Sequence, residues 1–63
     1  MDNIDHTKVA ELQRESAKAY ARARNAYEVA KTEADLDSAT VKQQAAAFAY
    51  RGAVTAREAV LGV

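Results

Sequence analysis

The chain has no cysteine and no proline, and its 63 residues hold only two glycines, four aromatic side chains and one histidine. Without cysteine there is no disulfide framework and no thiol nucleophile, and with His6 as the sole histidine a structural zinc site lacks ligands. No excess of either charge is present, because nine basic side chains balance nine acidic ones. A global electrostatic pull towards nucleic acid or an anionic membrane is therefore missing, and any such binding needs a local patch. Long apolar runs are absent too. Lys42, Arg51, Arg57 and Glu58 interrupt the most apolar region, which stays short of the roughly 18 residues of a membrane span. The amino end, Met1 to Asp5, is acidic where a secretion signal is basic and then apolar, so the expectation is a mature, soluble, cytoplasmic protein.

What remains is helix-forming. Alanine supplies sixteen residues, valine never recurs in an alternating pattern, and no Asn-Gly or Asp-Gly turn occurs. The fold class expected is all-α. In the first half Val9, Leu12, Ser16, Tyr20, Ala23, Tyr27, Ala30 and Ala34 follow at three or four residues, the spacing of one helical face, while Glu11, Arg14, Lys18, Arg22 and Asn25 occupy the other side. Asn3, Asp5 and Thr7 can each cap its start.

The seam loses phase after Ala34, where Asp35-Leu36-Asp37-Ser38-Ala39-Thr40 concentrates capping residues and Thr40 with Gln43 matches a capping box. The spacing predicts a first helix over about 5–33, a turn at about 34–38 and a second helix over about 38–61, ended by Gly62. The rival arrangement is a single helix of about 80 Å, favoured by the sevenfold spacing of Tyr20, Tyr27, Ala34, Val41 and Phe48.

The second helix is apolar on two sides. Val41, Ala45, Phe48, Gly52, Ala56 and Ala59 line one face and Ala47, Tyr50, Val54 and Leu61 nearly the opposite one. A helix apolar all round is a buried helix. The first face, with Tyr20, Tyr27 and Phe48 as fillers, is expected to pack within the chain. Ala23, Ala30, Ala45, Ala49, Gly52 and Ala56 would form the close contact, Gly52 marking the approach of another backbone or a ring. The second face is expected to bury itself against a second copy. A domain this small buries only about 60% of its unfolded surface, and association is one of the few remedies. The architecture expected is an antiparallel two-helix hairpin that homodimerises into a four-helix assembly.

Catalysis has little to work with. Ser16 has no base at an activating spacing, and the Glu-x-x-His pattern of di-iron bundles is missing. Asp2, Asp5 and His6 form a weak polar cluster that reads better as a solvated cap than as a metal site. The expectation is a protein that is no enzyme and takes no cofactor, metal or small-molecule substrate. Arg14, Lys18 and Arg22 recur every four residues as a basic stripe fit for phosphates, yet Glu11 and Glu15 lie among them, so a solvated face is the better account. In length and hairpin plan the chain resembles the Rop family of plasmid RNA-binding regulators, a resemblance that implies a four-helix RNA-binding dimer and carries no individual contact residue with it.

The function expected is non-catalytic protein binding: a small regulator or inhibitor of a larger protein, acting as a homodimer, of a kind common among phage and mobile-element products. A purely structural homo-oligomer is the other alternative. Ala47, Tyr50, Val54, Arg57 and Leu61 are the expected interface residues, because tyrosine and arginine are enriched in binding hot spots. Arg22, Val29 and Arg51 are lesser candidates for contact with an outside partner.

Overall fold

In a computed structural model, residues 6–62 form two helices, α1 (His6–Val29) and α2 (Glu33–Leu61), packed along each other. The helix starts considered at Asn3 and Asp5, and the Asp2 and Asp5 members of the amino-terminal cluster, lie outside the described residues; Thr7 is already within α1. The pair measures 47 × 17 × 14 Å, so the hairpin and not the single long helix is the arrangement adopted.

The connection comes earlier than the sequence spacing suggests. It is Ala30 to Thr32, not 34–38, and α2 already begins at Glu33. Thr32 is the reason. Its extended backbone stops the incoming chain, its Oγ1 accepts the Asp35 amide at 3.0 Å, and its carbonyl accepts the Leu36 amide at 3.1 Å. Asp35 reaches back, its carboxylate accepting the Lys31 amide at 3.1 Å, while Glu33 and Asp35 put negative charge at the positive end of the helix. Thr40, expected to cap with Gln43, sits inside α2 and donates its hydroxyl to the Leu36 carbonyl at 3.0 Å. At the far end Gly62 takes the left-handed conformation, φ 77°, and its amide donates to the Glu58 carbonyl at 2.9 Å.

Two cross-links between the helices set their register. The Tyr27 hydroxyl meets Thr40 Oγ1 at 2.9 Å, and the rings of Tyr20 and Tyr50 stand edge to face with centroids 6.4 Å apart. Earlier residues of α1 thus meet later residues of α2, and the helices are antiparallel. Counting along from these pairs, Ala23 stands level with Ala46, Ser16 with Ala53 and Val9 with Val60.

The core is made of small side chains. Val9, Ser16 and Ala23 of α1 and Ala39, Ala46, Ala53 and Ala56 of α2 are buried, Ala39 and Ala46 completely. Leu12, Ala19, Ala26, Ala30, Ala49 and Val60 are half-buried at the intervening positions. Both helices therefore bury a line repeating every seven residues, Val9-Ser16-Ala23 in α1 and Ala39-Ala46-Ala53 in α2, continued by half-buried Ala30 in the connection and half-buried Val60, which is the period of two helices winding about each other. Side chains this small let the backbones approach near the lower end of the 8–10 Å range. The Ser16 hydroxyl is accommodated by donating to the Gln13 carbonyl at 3.1 Å.

That choice of core overturns part of the expected packing. Of the α2 face expected to pack within the chain, only Ala56 is buried; Val41, Ala45, Phe48, Gly52 and Ala59 are all exposed. Phe48, expected as a filler of the seam, is 73% exposed, and Tyr20 and Tyr27 are 37% exposed at its rim. Ala34 is exposed as well, since the seam ends at Ala30. The physical reason is closest approach. Several lines along α2 are apolar, and the one with alanine at 39, 46 and 53 admits the neighbouring backbone where a phenyl ring would prop the helices apart.

Candidate protein-interaction surface

An alanine core leaves the large apolar residues outside it. Val29, Leu36, Val41, Phe48, Tyr50 and Leu61 are between 45% and 73% exposed, and no large side chain among the described residues is fully buried. Residues seven apart in a helix share a line along its length, so the surface of α2 can be built line by line.

Beside the buried alanines run Leu36, Gln43, Tyr50 and Arg57, and next to them Thr40, Ala47, Val54 and Leu61. These two lines contain every α2 position expected at an interface: Ala47, Tyr50, Val54, Arg57 and Leu61. Ala47 and Val54 are half-buried, while Tyr50, Arg57 and Leu61 are exposed. Tyr20 and Tyr27 of α1 lie along the same edge, through the Tyr20–Tyr50 ring contact and the Tyr27–Thr40 hydrogen bond. The rings thus give one edge of the hairpin a row of three tyrosines, partly satisfied within the chain. An aromatic pair in this geometry adds about 0.5–1.5 kcal/mol beyond the area it covers.

A second apolar strip lies on the other side of the buried line. Val41, Phe48 and Thr55 form one line, Ser38, Ala45, Gly52 and Ala59 its neighbour, and all seven residues are exposed. Gly52 is as open as position allows: a Cβ added there meets no atom within 4 Å. The close approach expected at this glycine does not occur within the chain. On the far flank Asp37, Gln44, Arg51 and Glu58 make a polar line, from which Arg51 turns its guanidinium over the Phe48 ring, 6.0 Å from the centroid. Sequence reasoning placed Val41 and Phe48 in the core and so missed them as surface. The signal that would have found them is the unbroken Ala39-Ala46-Ala53 repeat, which takes the core for itself.

The remaining candidates are spread over the outside of α1. Arg14, Lys18, Arg22 and Val29 are exposed. A shallow groove there is lined by Lys8, Glu11, Leu12, Arg14, Glu15 and Lys18, so carboxylates sit between the cations of the stripe. A phosphate backbone laid along that groove would meet both signs of charge. Among the described residues no three His, Asp or Glu side chains converge as a metal site would require, and no helix is long and apolar enough to cross a membrane. Comparison with models of known protein families, with curated proteins and with solved structures finds no match for this chain.

Proposed function

We propose that the protein is a non-catalytic protein-binding module, a small regulator or inhibitor that self-associates through α2 into a four-helix assembly and presents its tyrosine edge to a larger protein. One observation carries this reading: the hairpin spends its core on alanine, valine and serine, and leaves its larger apolar side chains at the surface. Scattered exposed apolar residues are ordinary, but here all of the large ones except Val29 fall on two strips flanking the buried face of α2. Burying a methyl group stabilises far less than burying a leucine or an aromatic ring, so a hairpin held by alanines has much to gain from covering those strips.

The tyrosine edge has the composition of a binding hot spot. Tyr20, Tyr27 and Tyr50 offer rigid rings with polar ends, and Arg57, Val54 and Leu61 continue the surface towards the end of α2. The test has two arms. Sedimentation equilibrium over a wide concentration range should give a mass above that of one chain. Capture from a cell lysate should return one protein with the natural chain and lose it with Tyr50→Asp. A chain that stays folded and monomeric at millimolar concentration, and retains nothing but itself from lysate, overturns the proposal.

A further inference from the structure

We infer that a second copy of the chain docks on the Val41–Phe48 strip, with the two α2 helices antiparallel and a two-fold axis between Gln44 and Ala45. This rests on the self-association proposed above and assigns it a face and a direction. The tyrosine edge is already engaged in part, since Tyr50 packs on Tyr20 and Ala47 and Val54 are half-buried. On the other strip Phe48 is 73% and Val41 63% exposed, with nothing from α1 over either.

Charge chooses the direction. The strip is flanked by the line Asp37-Gln44-Arg51-Glu58, every member exposed. Two copies of α2 laid parallel set the Asp37–Arg51 line of each against the Ser38-Ala45-Gly52 line of the other, where neither charge meets an opposite one. Laid antiparallel about the point between Gln44 and Ala45, Asp37 meets Arg51 of the second copy, and the symmetry repeats the pair at the other end. The same register sets Phe48 against Val41 of the second copy, again twice, so ring and charge are satisfied together. Arg51 is already drawn to this face by its contact with the Phe48 ring.

The opposite flank carries the small residues. Ser38, Ala45 and Gly52 lie along it, and in this register Gly52 stands opposite Ser38 of the second copy while the two Ala45 side chains meet at the axis. Gly52 has no neighbour in its own chain within 4 Å of an added Cβ, so the room it leaves is open to an incoming helix. A surface that matches itself in shape and in charge under one rotation is what a closed dimer requires.

Because the chain has no cysteine, single cysteines report the geometry directly. Gln44→Cys should form a covalent dimer rapidly under mild oxidation, the two sulfurs facing each other across the axis. Thr55→Cys lies on the docking strip but about 30 Å from its copy in the antiparallel pair, and should stay uncrosslinked. Phe48→Asp should raise the dimer dissociation constant roughly tenfold or more, and Asp37→Arg several-fold, with Arg51→Asp added to Asp37→Arg restoring association.

If Thr55→Cys crosslinks as readily as Gln44→Cys, the helices are parallel and the assignment fails. If the protein dimerises but Gln44→Cys does not crosslink and Tyr50→Asp, not Phe48→Asp, disperses it, self-association stands and this face is wrong. A monomer at every concentration removes both, even if its Phe48 strip holds a different protein from lysate. Should Phe48→Asp fail to fold, the cysteine pair decides, because both of those substitutions sit at exposed positions.

Discussion

Tyr27 donates its hydroxyl proton to Thr40, and the direction follows from a third residue. Thr40 has one hydroxyl proton and gives it to the Leu36 carbonyl at 3.0 Å, so its oxygen can only accept in the 2.9 Å contact with Tyr27. The bond joins the last turn of α1 to the second turn of α2 across the loop. It is exposed, which keeps its net worth small. Tyr27→Phe should cost about 0.5 kcal/mol in chemical denaturation, at the low end for a neutral hydrogen bond, with helicity unchanged. A loss above about 2 kcal/mol would mean that the ring, not the hydroxyl, had been disturbed.

The loop gives a sharper test, because two threonines compete for the role of cap. Thr32 holds the Asp35 amide and is an N-cap in conformation as well as in bonding. Thr32→Ala should lower stability by about 1 kcal/mol, and Thr40→Ala by less, since Thr40 is inside a helix that prefers alanine. Thermal melts of the two variants side by side give the comparison. Equal losses would contradict the capping geometry.

These two sites mark where the sequence was readable and where it was not. Absence of proline, the alanine content and the run of capping residues made two helices legible, and Gly62 as the end of α2 as well. The turn was displaced by about four residues because Asp35, Asp37, Ser38 and Thr40 all carry capping groups, and single residues do not reveal which one the chain uses. Thr32, with its partner Asp35 three residues on, has the same pattern and wins because the α1 seam ends at Ala30. The misplacement of Phe48 has another origin. Hydrophobicity ranks Phe48 and Val41 above Ala39 and Ala46 as core, whereas geometry favours whichever line lets two backbones come closest. A helix apolar on most sides gives periodicity nothing to choose between, so the face was undetermined even though the element was clear.

The alanine seam therefore predicts its own intolerance of size. Ala46 is completely buried, level with Ala23 of α1. Ala46→Leu should destabilise by about 1–3 kcal/mol by forcing the helices apart, while Ala21→Leu, at an exposed position of α1, should change stability by less than about 0.5 kcal/mol. Denaturant midpoints measure both. A neutral Ala46→Leu would show that the helices are not in close contact there.

Ser16 tests the seam in the opposite direction. It is the one buried polar residue among those described, and its hydroxyl bonds only to the Gln13 carbonyl within its own helix. That carbonyl keeps its backbone partner when the hydroxyl is removed, and serine is a poorer helix former than alanine. Ser16→Ala should therefore be neutral or stabilise by up to about 0.5 kcal/mol on thermal unfolding. A loss above about 1 kcal/mol would show that the hydroxyl serves something beyond this helix.

Gly52 separates the needs of one chain from those of two. A glycine inside a helix costs about 1 kcal/mol relative to alanine, and nothing in the hairpin needs the space, since an added Cβ meets no atom within 4 Å. For the single chain Gly52→Ala should raise stability by up to about 1 kcal/mol, seen as greater helicity and a higher Tm at high dilution. Where two copies meet, the added methyl enters the flank on which Ser38 of the second copy is placed, so sedimentation at higher concentration should show weaker association by the same variant. Opposite signs from one substitution are hard to obtain unless the glycine serves an interface. If Gly52→Ala stabilises the chain and leaves its mass distribution unchanged, the glycine is merely tolerated, and the open space beside Phe48 is not where the second helix lies.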